Sequence, residues 1–244
     1  MLLISVLTGL GAEAGPLRVV CWNLHHGEGA DGRVDLDRIA RQLTALRPDL
    51  VALQEVDRRC GRSGGADQAA ELARLTGLEP VFGRAMDFDG GEYGLAVLSR
   101  LPVESHRIHR LPGDGEPRIA LEVVVRHDGG TLSVVSTHLD HQQAERREAQ
   151  ARALAKALGP RRAAVLCGDF NDGPGSPTLR AFDGGWTAVA KRGPAATHPA
   201  ADPRVEIDHV LIKGLVARKQ VTVVEETRCS DHRPLWLEVA VAGE

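Results

Sequence analysis

Apolar residues along this chain fall into two patterns. Short runs rich in Val, Leu and Ile at residues 17–22, 50–53, 81–84, 95–99, 119–126, 131–137, 164–167, 205–212 and 234–241 predict strands. Three other stretches carry helical spacing. Residues 35–46 place Leu36, Ile39, Ala40, Leu43 and Leu46 on one face, with Asp35 as N-cap and Pro48 as the stop. Residues 68–76 end at Gly77, and the alanine-rich 143–158 ends at Gly159-Pro160. His127-Asp128-Gly129-Gly130 is the expected turn of a hairpin between 119–126 and 131–137. Polar, glycine-containing loops fill 28–34, 58–66 and 87–93. An irregular segment, 172–204, holds much of the proline and glycine and wraps the surface or rims a site. Helices interspersed among strands, with no linker or repeat, predict one α/β or α+β domain over residues 15–244.

The polar residues are patterned too. The run at 164–167 halts in Gly168-Asp169-Phe170-Asn171, followed by the breakers Gly173-Pro174-Gly175. If the chain stays extended there, Asp169 and Asn171 share one face and one rim. Taken alone they favour a turn, since Asp and Asn hydrogen-bond their own backbone. The same design recurs, however. Apolar runs also end at Asn23, Glu55 and His138, while Asp208 and the pair Asp231-His232 come at the start of later runs. If the two groups of strands run antiparallel, all these residues meet at one end of the sheets. Core packing calls for none of them there. The set is rich in hard oxygen donors, which suit Mg²⁺ or Mn²⁺ better than zinc. With histidine and carboxylate to spare, it suits metal-assisted attack of water on phosphorus.

Composition sharpens this in a few places. Aromatics are only 3% of 244 residues, so Leu, Val and Ala must supply the core. A net charge of −3 argues against a protein that coats nucleic acid, without excluding an enzyme that touches a few phosphates. Cys21, Cys60, Cys167 and Cys229 contain no CxxC pair, which argues against a zinc cluster. Cys21 and Cys167 lie in strands as small hydrophobes, and Cys60 and Cys229 are the pair available for a disulfide in an oxidising compartment. Residues 1–14 are apolar and carry Ala12-Glu13-Ala14, a small-x-small cleavage pattern, but no basic residue precedes them. A signal peptide with export is the first expectation; a short leader on a cytoplasmic protein is the alternative.

Trp22-Asn23, Leu53-Gln54-Glu55-Val56, the stretch from Gly94 to Arg100, Ser136-Thr137-His138-Leu139, Gly168-Asp169-Phe170-Asn171, Ile207-Asp208-His209-Val210 and Ser230-Asp231-His232-Arg233-Pro234 occur in that order. Together they resemble the endonuclease/exonuclease/phosphatase superfamily, over nearly the whole of residues 17–241. That superfamily includes DNase I-like nucleases, abasic-site endonucleases, bacterial sphingomyelinases, inositol polyphosphate 5-phosphatases and deadenylases. The resemblance implies a four-layer αββα sandwich: two packed mixed β-sheets flanked by helices, with the active site at one end. It implies Glu55 as the principal metal ligand, with Asn23 and Asp231 close to that ion or to a second one. Asp169 would orient or deprotonate the attacking water, or protonate the leaving oxygen, while Asn171 binds phosphate. His232 would contact the scissile phosphate, oriented by Asp208. His138 matches the DNase I-like and sphingomyelinase-like branches, where abasic-site endonucleases tend to carry tyrosine.

Softer candidates surround this set. Arg118 either reaches a phosphate or is solvated. His26, beside His25, either lines the pocket or stands exposed. Asp140 and His141 flank His138, and Arg147 and Gln150 are expected on a solvated helix face. The function expected is Mg²⁺-dependent (or Mn²⁺-dependent) hydrolysis of a phosphodiester or phosphomonoester by a monomer with no stable protein partner. The substrate is nucleic acid, a lipid head group or a small phosphodiester. A sphingomyelinase-like lipid phosphodiesterase is the rival within that chemistry, and a non-catalytic binding module retaining the fold is the rival outside it.

Overall fold

The computed structural model describes residues 15–242, so the signal-peptide expectation for 1–14 lies outside the described residues. The elements in order are β1 (Leu17–Asn23), α1 (Leu36–Leu46), β2 (Leu50–Arg58), α2 (Gln68–Thr76), β3 (Glu79–Phe88), β4 (Gly91–Ser99), β5 (Val103–Arg110), β6 (Ile119–His127) and β7 (Gly130–His138). There follow α3 (Ala144–Leu158), β8 (Ala164–Asp169), α4 (Pro177–Arg180), β9 (Thr187–Ala188), β10 (Lys191–Arg192), β11 (Asp208–Lys213), β12 (Leu215–Ala217), β13 (Val221–Val223) and β14 (Leu235–Val241). One sheet has the order β10-β13-β14-β1-β2-β4-β3, with β12 beside β14; the other runs β5-β6-β7-β8-β11-β9. Both are mixed. β1 is parallel to β2 and antiparallel to β14, and β7 is parallel to β8, which is antiparallel to β11.

The two-residue period of each central strand builds the layers. Val19 and Cys21 of β1 and Val165 and Cys167 of β8 point into the interface between the sheets. Val20 and Trp22 point the other way, onto Ile39 and Leu43 of α1 and Leu72 of α2. Ala164 and Leu166 likewise point outward, onto Ala151, Leu154 and Leu158 of α3. Both faces are covered, which is why these strands are apolar throughout. The result is the expected four-layer sandwich. Asp35 caps α1 by accepting from the Arg38 N–H at 2.9 Å, and Gly77 ends α2 in the left-handed region, φ 72°.

Several boundaries differ from the pattern-based reading. The expected loop at 87–93 is only a tight turn, because β3 and β4 extend to Phe88 and Gly91. A side chain at 91 would meet the Arg58 carbonyl at 2.4 Å, so glycine is what lets the hairpin tip lie against loop 58–65. β5 was not expected. Its residues are mostly exposed and polar, as suits an edge strand read only through its neighbour β6. The Cys60–Cys229 disulfide is not present. All four cysteines are free and buried, with Cys60 against the Phe88 and Glu92 carbonyls and Cys229 in the layer under α1. Arg147 and Gln150 are not on a solvated face either. Gln150 is buried, bonded to the Asp140 N–H at 2.8 Å and to the Pro112 carbonyl, and Arg147 donates to the Asp140 carbonyl.

Candidate active site

β1, β2, β7 and β8 all end at one edge of the sandwich, and β11 and the turn before β14 begin there. This is the antiparallel meeting that the polar clusters called for. The parallel register sets His138 directly beside Asp169, and the antiparallel register sets Asp208 on its other side. Gly168 makes the first pairing possible. A Cβ there would lie 2.0 Å from the Thr137 carbonyl oxygen. The turn 230–233 is fastened to β1: Ser230 Oγ donates to the Asn23 carbonyl at 2.7 Å, and Trp22 Nε1 donates to the His232 carbonyl at 2.9 Å.

Two residues reach the rim through irregular backbone. Between Leu53 and Val56, β2 takes three steps while β4 takes two, from Ala96 to Gly94. Glu55 is in this bulge with φ 55°, a left-handed conformation that costs a glutamate about 1–3 kcal/mol. The bulge lets Gln54 stay inside, donating to Ser136 Oγ at 2.9 Å across the sheets, while Glu55 lines the cavity. Asn171 is also left-handed, φ 51°. The extended reading of 169–171 therefore fails, and the turn reading holds locally. Asp169 Oδ1 accepts from the Asn171 N–H at 2.9 Å, and that turn brings Asn171 to the cavity.

The side chains form a connected cluster. Asn23 Nδ2 lies 3.1 Å from Glu55 Oε1 and 3.2 Å from Asp169 Oδ2. The same Asp169 oxygen is 3.5 Å from His138 Nε2 and 3.7 Å from His232 Nε2. His232 Nδ1 is 2.8 Å from Asp208 Oδ2, which also accepts from Thr197 Oγ1. Burial, then the Asp208 charge, push the Asp169 carboxyl well above the usual carboxylate range; His232 and the Asn171 N–H oppose this incompletely. Burial would lower His232, but the charge and hydrogen bond of Asp208 outweigh it and raise the imidazole to about 10. His138 is held far below the ordinary histidine value by burial, then by the Arg118, His232 and His141 charges, so it is a neutral imidazole. Burial acts upward on Asp231, but His198, His232 and His25 outweigh it and hold the carboxyl at about 2.

A cavity of about 380 Å³ opens over this cluster, lined by Glu55, His138, Asp169, Asn171 and His232. Asn23 and Asp208 lie buried beneath it. Arg118 is on the wall, its side chain 4% exposed and 3.0 Å from His141 Nδ1. Its Nη2 is also 3.4 Å from Glu116 Oε1, while its Nε has no hydrogen-bond partner among the described residues, so it is buried rather than solvated. His26 lies apart from the lining. Its Nε2 is 3.4 Å from Glu28, and its carbonyl accepts from Gln68. Several lining residues escaped the sequence, among them Arg62, Tyr93 and His198. Arg62 and Tyr93 sat in stretches assigned to loops, and His198 lay in the irregular segment. That segment rims the site: the Arg233 N–H donates to the Thr197 carbonyl, the Ala200 N–H to the Asp231 carbonyl, and the His198 ring lies tilted against His232, centroids 4.7 Å apart.

The donor set fits a hard divalent cation. Glu55 is partly exposed at the cavity and, among the described residues, has only the Asn23 amide as hydrogen-bond partner, leaving carboxylate lone pairs free. Mg²⁺ commonly takes one or two carboxylates and fills the rest of its octahedron with water and phosphate oxygen. Two further groups of donor atoms lie within 4.8 Å of one another, His198–Asp231–His232 and Asp169–Asp208–His232.

Comparison with known proteins gives the family and the fold. Residues 20–232 match the model of the Endonuclease/Exonuclease/phosphatase family. The uncharacterised protein YbhP of Escherichia coli K12 is 26% identical, covering 91% of this chain and 95% of that one. An endonuclease/exonuclease/phosphatase from Beutenbergia cavernae superposes with a TM-score of 0.78 at 25% identity, over 94% of this chain and 72% of that one. The mannosyl-6-phosphatase Bt3783 of Bacteroides thetaiotaomicron has the same fold, TM-score 0.76 at 19% identity, over 92% and 99% of the two chains. The chain belongs to the endonuclease/exonuclease/phosphatase family, whose members are hydrolases acting on phosphoester bonds.

Proposed function

We propose that residues 15–244 form one catalytic domain, a divalent-metal-dependent phosphoesterase that hydrolyses a phosphodiester of modest size by attack of water on phosphorus. The observation that carries this reading is the line Asp208–His232–Asp169–His138 on the cavity floor beside the Glu55–Asn23 pair. Glu55, with Asn23 and Asp231 alongside, would hold Mg²⁺ or Mn²⁺, which when bound neutralises charge on the phosphoryl group.

The chain's own residues supply the rest. Asp169 has its Oδ1 fixed by the Asn171 N–H, leaving Oδ2 toward the cavity to orient a water and take its proton as the new P–O bond forms. Its raised affinity for protons suits a base that works near neutrality. His232, kept protonated by Asp208, donates through Nε2 to a phosphoryl oxygen as negative charge grows there. His138, neutral, and the second amide hydrogen of Asn171 add donors; the first is given to the Leu139 carbonyl at 3.1 Å. Arg118 binds the phosphate. The P–O bond to the leaving group then breaks, and the departing oxygen takes a proton from Asp169 or water. His26, set away from the lining, has no part in this scheme.

The test is hydrolysis of a panel of small diesters, nucleic acids and phospholipid vesicles by purified protein with Mg²⁺, with and without EDTA, beside Asp169→Asn. Hydrolysis that survives neither EDTA nor the substitution is expected. If no compound gives it, the reading fails.

A further inference from the structure

Two arginines line the cavity, and the phosphoryl chemistry above uses only Arg118. The other, Arg62, is held by a fork. Its Nε and Nη2 each donate to Asp57 at 2.8 Å, and the Asp57 side chain is fully buried behind it. The guanidinium carbon sits 4.5 Å from the centre of the Phe88 ring and 5.5 Å from that of Tyr93. The backbone is pinned as well. The Arg62 N–H donates to Asp89 Oδ2 at 2.6 Å, and the Gly61 N–H to the Asp89 carbonyl at 2.9 Å. The residue therefore pays little further ordering entropy on binding a ligand. Its remaining nitrogen, Nη1, has no hydrogen bond among the described residues, and the side chain is 30% exposed at the cavity.

We infer that Arg62 is a specificity-determining residue that receives a second anionic group of the substrate, a phosphate or carboxylate remote from the scissile phosphorus. The inference rests on the phosphoesterase reading. Asp57 occupies the opposite edge of the guanidinium, so a ligand at Nη1 is nearer the cation than the carboxylate. A guanidinium over an aromatic face presents its donors edge-on, and its charge-assisted hydrogen bonds are about twice as strong as neutral–neutral ones. The cavity, about 380 Å³, is at the small end for ligand sites and suits a compact molecule bearing two anionic groups.

Calorimetry would compare thymidine 5′-phosphate with thymidine 3′,5′-bisphosphate, both with Mg²⁺. The bisphosphate should bind at least about tenfold more tightly to the wild type, as expected of one charge-assisted contact. That ratio should fall close to one in Asp57→Asn/Arg62→Gln, a pair chosen because removing Arg62 alone would strand a buried carboxylate. Arg62→Lys, which keeps the charge and loses the fork, should give an intermediate ratio, and thermal melting verifies that each variant is folded. Equal binding of the two ligands by the wild type, or an unchanged ratio in the folded variants, would overturn the inference. Turnover of thymidine 5′-(p-nitrophenyl phosphate), which lacks the second anion, reports the catalytic reading separately. Turnover without a binding preference removes the Arg62 site alone; a preference with no turnover of this diester or of any compound in the panel removes the catalytic reading alone.

Discussion

Asp208→Asn perturbs this site most selectively, because asparagine keeps the shape and the ability to accept from Thr197 while removing one charge. Burial alone would take the His232 imidazole below its ordinary 6.5, and Asp208 at 2.8 Å reverses this to about 10. At 1.36 kcal/mol per pH unit the rise corresponds to an upper limit of about 5 kcal/mol in favour of the imidazolium. Without the carboxylate, His232 loses its largest support, only the Asp169 and Asp231 charges still oppose burial, and the imidazole should titrate well below its wild-type value. Asp169, held up at about 7, loses the Asp208 charge that raises it and, as His232 deprotonates, the charge that lowers it, so the two changes oppose each other. The wild type should gain activity as Asp169 ionises near 7 and lose it only as His232 deprotonates near 10. In the variant the alkaline limb should move to lower pH, and the acid limb should move less. The value of kcat/KM at pH 8 should drop about 10²–10³-fold, the usual cost of losing one donor to developing charge. A pH–rate profile on the substrate found in the panel, with ¹⁵N NMR of the His232 ring, measures both effects. An unmoved alkaline limb, or a wild-type rate at pH 8, would refute the reasoning.

Three further outcomes are expected. Mg²⁺ should raise the melting temperature of the wild type, by an amount equivalent to about 2.7 kcal/mol at a hundredfold excess over Kd, and should leave Glu55→Gln unmoved; equal shifts would take Glu55 off the ion. Gly168→Ala should lower the melting temperature and activity together, because the added methyl would meet the Thr137 carbonyl at 2.0 Å and force β7 and β8 apart; a cost below about 1 kcal/mol would contradict that close approach. Far from the site, buried Glu122 accepts from Arg161, from His109 at 2.9 Å and from Ser133 at 2.9 Å. Burial pushes its carboxyl up, but these partners outweigh it and hold it far below the ordinary value. A depressed carboxyl contributes stability above its unfolded value near 4.3 and loses it as pH falls toward the folded one. Urea unfolding should therefore show Glu122→Gln about 3 kcal/mol less stable at pH 7, with the difference closing below pH 4; a difference constant with pH would exclude this role.

Much of the molecule was legible in one dimension. Helices α1 and α2 followed from periodicity, from Asp35 and from Gly77, because caps and apolar stripes are local properties. The ends of β1, β7 and β8 were readable because a strand buried on both faces stays apolar until it meets solvent, so the polar residue that stops it marks the rim. That singled out Asn23, Glu55, His138 and Asp169, and an antiparallel return of the later strands added Asp208 and the pair Asp231-His232. Only tertiary structure decided the rest. Edge strand β5 has too little burial of its own to leave a pattern. Glu55 reaches the cavity through a bulge visible only against β4, and Arg118 is walled in by neighbours distant in sequence. Arg62 and His198 belong to segments whose side chains acquire direction from Asp57, Phe88 and the 230–233 turn, partners that no spacing along the chain announces. Residue types restrict which chemistry a chain can perform; the charges on Asp169, Asp208 and His232 depend on burial and on distances of a few ångströms, and those exist only once the two sheets have packed.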